Sequence, residues 1–178
     1  GLMAKAGVTG LGVAVLNGGK VVYQRAFGFR DGDRKLPLTA DTVMYGASFT
    51  KPVFAMTVMQ LVDEGRVDLD RPLQAYLPRP ITTYEPWKDL AEDPRHARLT
   101  ARMLLSHTAG FANYRFLNPD GKLRIFFEHG SRYAYSGEGL NLLQMVLEAQ
   151  LGTPIGGLIQ AGVFDRFGMV RSSLTWRE

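Results

Sequence analysis

The chain has 178 residues, 46% of them hydrophobic, enough to bury one core and too few for two domains of ordinary size. Its 21 Lys and Arg against 17 Asp and Glu leave a net charge of +4, scattered rather than clustered, which sets nucleic-acid binding aside. There is no cysteine, so disulfides and thiolate nucleophiles or metal sites are excluded, and no apolar run reaches the roughly 18 residues of a membrane span.

The first residues lack the apolar run of a signal peptide, which leaves the compartment open between periplasm or secretion and cytoplasm. Residues 10 to 32 read as a β-hairpin. Val13, Val15, Val21 and Tyr23 lie in β-rich runs, and Asn17-Gly18-Gly19 tolerates positive φ between them. A helix is expected from Phe49 to Glu64, with Phe54, Val58, Leu61 and Val62 at helical spacing and Gly65 as its stop. Asp70 suits an N-cap, with Pro72 in the first turn of a short helix ending before Pro78.

Residues 79 to 98 are polar and carry prolines, so a long surface loop is expected there. Thr100 can cap a helix running through Ser106. The stretch from His107 to Tyr135 is loop-rich, with a short hairpin expected around Asp120-Gly121. A second strong helix should run from Glu138 to Gln150 and stop at Gly152, and Thr153-Pro154 should open a third that ends near Val163. One hairpin before a mostly helical remainder is too little sheet to be stable alone. Either helices cover it, or further strands belong with it.

The three histidines, His96, His107 and His129, lie on separate segments without a metal-binding spacing, and there is no phosphate-binding glycine loop, so neither metal nor cofactor is expected. His107 reads as a structural residue whose ring bonds backbone carbonyls at a helix end. Ser48 and Lys51 are three residues apart at the start of a helix. A side chain there lies near unpaired N–H groups and the positive end of the dipole, which would stabilise an oxyanion. Lys51 rises on the same face as Ser48. Were that face buried in a dry cleft, desolvation and the dipole would lower the lysine pKa and let it take the serine proton. The bland reading is an ordinary helix start with a surface lysine, since a Ser-x-x-Lys falls in a chain of this length about once by chance. A third, proton-relaying group is therefore needed. Tyr135, just before a helix, is the candidate, against the alternative that Tyr133 and Tyr135 are core aromatics. Tyr84 and Trp87 could line a substrate pocket or simply anchor their loop.

Four segments, in order, resemble the serine β-lactamase and penicillin-binding family in its class C-like, DD-peptidase and esterase branch. They are Ser48-Phe49-Thr50-Lys51 with the helix that follows, "LTARMLLSHTAGF", "GSRYAYSGEGLNLLQMVLEAQLG" and "VFDRFGMVRSSL". The resemblance implies an α+β, β-lactamase/transpeptidase-like fold. Its helical region packs on an antiparallel sheet, of which only the first two strands would lie in this chain. Residues 1–178 would then form a single incomplete domain, the N-terminal portion of a larger protein, with the third motif and remaining strands beyond Glu178. The resemblance also implies Ser48 as the acylated nucleophile, Lys51 as its base and Tyr135 as the proton relay. The reaction would be acyl transfer from a small ester, amide or β-lactam. The position where the family carries a substrate-binding asparagine holds Gly137, which favours an esterase or peptidase as much as a β-lactamase. Two alternatives stand beside this: a non-catalytic relative that binds peptidoglycan fragments or a protein, and an unrelated α/β-hydrolase. The oligomeric state is open.

Overall fold

The computed structural model describes residues 1–175. Its chain divides into two compact units, Gly1–Gly46 and Ala47–Glu178.

The first unit opens with a single helical turn, α1 (Leu2–Lys5), and continues as an antiparallel sheet. Strands β1 (Gly10–Asn17) and β2 (Lys20–Asp31) pair along their length, with Asn17 opposite Lys20 across the turn. Gly18 and Gly19 take φ of 56° and 74°, the double left-handed turn whose twist matches that of the strands. A two-residue strand β3 (Leu36–Pro37) adds to the far edge of β2, giving the order β1-β2-β3. That third strand is too short to leave a periodic signal in the sequence.

The second unit is helical. Helix α2 (Thr50–Asp63) buries Phe54, Thr57, Val58 and Leu61, which recur at three- and four-residue spacing as expected. Helix α3 (Ala101–Leu105) is capped by Thr100, whose side chain accepts the Met103 N–H. Helix α4 (Gly137–Leu151) is capped by Ser136, stops at Gly152 and carries Leu142, Leu143, Val146 and Leu147 into the core. Helix α5 (Ile155–Ile159) runs on into a π-helical turn, Gln160–Asp165. α4 packs on α3 and α5, and α2 packs on α5 and the π turn.

Three local expectations are corrected. Residues 79 to 98 are not an open loop but three 3-10 helices, Ile81–Thr83, Glu85–Glu92 and Pro94–Arg98, which bury Ile81, Trp87 and Leu90. Prolines start these turns, and Trp87 and Leu90 match the three-residue period of a 3-10 helix. Asp70 does not cap a helix. Its carboxylate takes the forked guanidinium of Arg102 at 2.7 Å on both oxygens, and the turn Leu73–Tyr76 follows without a side-chain cap. Around Asp120-Gly121 there is a turn rather than a hairpin, because Asp120 pairs locally with Arg124 and with the Lys122 N–H.

Candidate active site

The site lies within the second unit. Ser48 sits in one 3-10 turn, Ala47–Phe49, that leads straight into α2. Ala47, the residue before it, is held at a φ of 44°, a left-handed conformation that costs a non-glycine residue about 1–2 kcal/mol. Lys51 is the second residue of α2, and its Nζ donates to Ser48 Oγ at 3.1 Å. The same Nζ stands 4.8 Å from the centroid of the Tyr135 ring. The structure thus brings Ser48, Lys51 and Tyr135 together, with the tyrosine arriving from the segment before α4.

These groups and His107 line one open cavity of about 280 Å³, floored in part by Leu105 and Leu140. The cleft is not dry: Ser48 is exposed and Tyr135 keeps 37% of its surface. The Tyr135 phenol is held below the usual tyrosine range, first by hydrogen bonding from Lys51 and second by Ser48. Lys51→Met is therefore expected to move the Tyr135 titration up toward the free phenol value of about 10. The change would be read as ultraviolet phenolate absorbance, taken as the difference from Tyr135→Phe. An unmoved titration would mean that the amine does not stabilise the phenolate.

His107 lies past the end of α3 and bonds backbone, as expected, but to a different partner. It has a φ of 58°, and among the described residues its ring bonds no carbonyl; Nδ1 instead accepts the Ser136 N–H at 3.1 Å. Its ring centroid is 4.6 Å from that of Tyr135. The signal that could have found it is its position, one residue past a helix end, where glycine is the usual occupant.

Gly137 opens α4 beside the site. Its N–H donates to the Asn113 carbonyl at 2.9 Å and to Asn113 Oδ1 at 3.0 Å. A Cβ built on Gly137 would lie 2.6 Å from a ring carbon of Tyr114, so the Tyr114 ring occupies the space a side chain here would need. Gly137→Ala is expected to destabilise the protein by about 1–3 kcal/mol, seen as a lower urea midpoint. An unchanged midpoint would show that the ring yields freely. Tyr84 and Trp87 are not brought to the cavity. Tyr84 lies under the Arg79 guanidinium at 4.0 Å, and Trp87 is core, 3% exposed, with the Arg115 guanidinium 5.1 Å from its ring.

Among the described residues no group of three His, Asp or Glu is placed to hold a metal ion, and no single helix is long and apolar enough to cross a membrane. Ser48 enters α2 from a 3-10 turn and the sheet is antiparallel throughout, unlike the strand-to-helix elbow over a parallel sheet of an α/β-hydrolase.

The family model described as Beta-lactamase matches residues 1–178. The chain belongs to the beta-lactamase family. Among its relatives in that family are the esterase EstB of Burkholderia gladioli, 28% identical over 177 residues, and a D-aminopeptidase of Brucella anthropi, 30% identical over 181 residues. The alignments cover 85% and 91% of this chain, but only 43% and 32% of those proteins. The octameric penicillin-binding protein homologue from Pyrococcus abyssi superposes with a TM-score of 0.73 at 24% identity, over 94% of this chain and 41% of that one. The fold is thus α+β and β-lactamase/transpeptidase-like, and the chain spans less than half the length of these beta-lactamase-family proteins.

Proposed function

We propose that the protein carrying this chain is a serine acyl-hydrolase that forms an acyl-enzyme at Ser48 on small esters, amides or β-lactams. The observation that carries the reading is the 3.1 Å contact of Lys51 Nζ with Ser48 Oγ, with the Tyr135 ring beside the same amine. Ser48 Oγ attacks the substrate carbonyl carbon. Its proton passes into the Lys51–Tyr135 pair, which returns one to the leaving group as the tetrahedral intermediate collapses to the ester on Ser48. Water, deprotonated by the same pair, then attacks that ester and frees the acid and Ser48. The Ser48 backbone N–H, at the head of α2, supplies one oxyanion donor. The relatives this chain matches are more than twice as long, which supports reading it as the N-terminal portion of a single larger domain. Gly137, lacking the amide that the family carries there, widens the substrate class toward esters and small amides, as does the likeness to an esterase and a D-aminopeptidase.

The test is covalent. Incubation of the full protein with a fluorophosphonate or a penicillin is expected to add one probe mass per chain, with peptide mapping placing it on Ser48. A probe mass on another residue would remove Ser48 from the chemistry. No labelling, together with tight binding of peptidoglycan fragments, would instead make the protein a non-catalytic binder of the same fold.

A further inference from the structure

We infer that His107 is a positioning residue that clamps the backbone on both sides of Tyr135 and so fixes the phenol against Lys51. This rests on the proposed acyl transfer at Ser48. The His107 carbonyl accepts the Ala134 N–H at 2.8 Å, and the His107 Nδ1 accepts the Ser136 N–H at 3.1 Å. One residue therefore holds the chain immediately before and immediately after Tyr135. The imidazole also lies against the phenol ring, 4.6 Å between centroids at an interplanar angle of 39°. The two bonds fix the backbone on either side of Tyr135, and the imidazole packs against one face of the phenol ring.

Two further observations fit a built device rather than an incidental contact. His107 holds a left-handed φ of 58°, where glycine would be cheaper, and it keeps that conformation inside the site cavity. Ser136, the partner of Nδ1, is itself buried and fixed. Its hydroxyl donates to the Ala112 carbonyl at 2.8 Å, accepts the Gly139 N–H at 3.0 Å, and so ties the clamp to the first turn of α4.

The clamp works only with neutral imidazole. An Nδ1 that accepts the Ser136 N–H carries no proton, which places the ring proton on Nε2. The titratable groups facing the ring are Lys51 from α2, and Tyr133, at 5.7 Å edge-on, and Tyr135 from the segment before α4. Burial, and then the Lys51 charge, hold the imidazole below its ordinary value, which favours the neutral ring that the Ser136 bond requires. Acidification through its lowered pKa puts a proton on Nδ1, breaks the Ser136 bond and releases the phenol.

The experiment measures the second-order rate of Ser48 labelling by a fluorophosphonate against pH in the full protein. Three forms are compared: wild type, His107→Leu and His107→Asn. Leucine removes the acceptor. Asparagine keeps an oxygen near the Nδ1 position, accepts the left-handed backbone and does not titrate. His107→Leu should label at least about 10-fold more slowly at neutral pH. His107→Asn should stay within about 3-fold of wild type there and lose the part of the acid fall that belongs to the imidazole. Equal rates for wild type and His107→Leu, or His107→Asn as slow as His107→Leu, would overturn the clamp while leaving Ser48 chemistry standing. If His107→Leu does not fold, the asparagine variant decides alone: an acid limb identical to wild type overturns the proposal. A wild type that never labels at Ser48 overturns both the clamp and the acyl-enzyme.

Discussion

Ser48→Ala is expected to lower ester hydrolysis by at least about 10⁴-fold, read as steady-state turnover of a chromogenic short-chain ester. The size follows from what remains. Lys51 and Tyr135 remain in place around the cavity, but the proposed covalent route has lost its nucleophilic oxygen, the hydroxyl that accepts from Lys51 Nζ. Lys51→Met should fall nearly as far, because the serine hydroxyl then has no amine at 3.1 Å and the phenol loses the stronger of its two stabilising partners. Groups that act as a unit are not additive, so the double variant should be no slower than Ser48→Ala alone. An alanine variant that retains a tenth of wild-type turnover would sink the nucleophile assignment.

Glu138→Ala should cost about 3–5 kcal/mol of stability, since it strands a partly buried guanidinium. Glu138 is 5% exposed in the first turn of α4. Its Oε1 accepts the Arg115 N–H at 2.9 Å and the Nε at 3.0 Å, while Oε2 takes the second arm of the fork at 2.7 Å. The remaining arm of Arg115 donates to the Pro86 carbonyl. One carboxylate therefore ties the loop around residue 115, the 3-10 segment after Tyr84 and α4 together. At roughly 2–4 °C per kcal/mol for a domain of this size, the melting temperature should drop by about 10 °C. Burial raises the Glu138 pKa, but the Arg115 hydrogen bonds and charge outweigh it and leave the carboxyl below its ordinary value. A depressed carboxyl stabilises the fold above its unfolded pKa of about 4.3 and loses that contribution as pH falls through the folded value. Wild type should thus lose its advantage over Glu138→Gln in acid. A gap between the two that stays constant from neutral pH down to about pH 2 would show that the charge of Glu138 is not what matters.

The long apolar-periodic elements were legible because one face of each is buried. Phe54, Val58 and Leu61 betray α2, Leu143 and Leu147 betray α4, and two glycines betray the hairpin turn. The pairing of Ser48 with Lys51 was readable too, since three residues on a helix put two side chains on one face. What escaped were features that depend on distant partners. Asp70 has the composition of a cap, but Arg102, far along the chain, claims it. Residues 79 to 98 look like loop because a 3-10 helix buries only one residue in three, too sparse a rhythm to stand out among prolines. The structural reading of His107 was sound in kind, but its partners, Ala134 and Ser136, are set by tertiary folding and leave no local mark.

The grip of His107 on residues 134 and 136 also closes residues 108 to 133 into a loop whose two ends are pinned at one point. Lengthening a loop already closed costs little, about 0.6 kcal/mol per doubling. Ala109, Phe111, Leu123 and Ile125 sit in the core and Arg115 is held by Glu138, so within that stretch it is the largely exposed turn from 116 to 122 that can change length without dragging the phenol out of register. Such a layout separates a short exposed turn, free to diversify, from the pinned segment that must stay put.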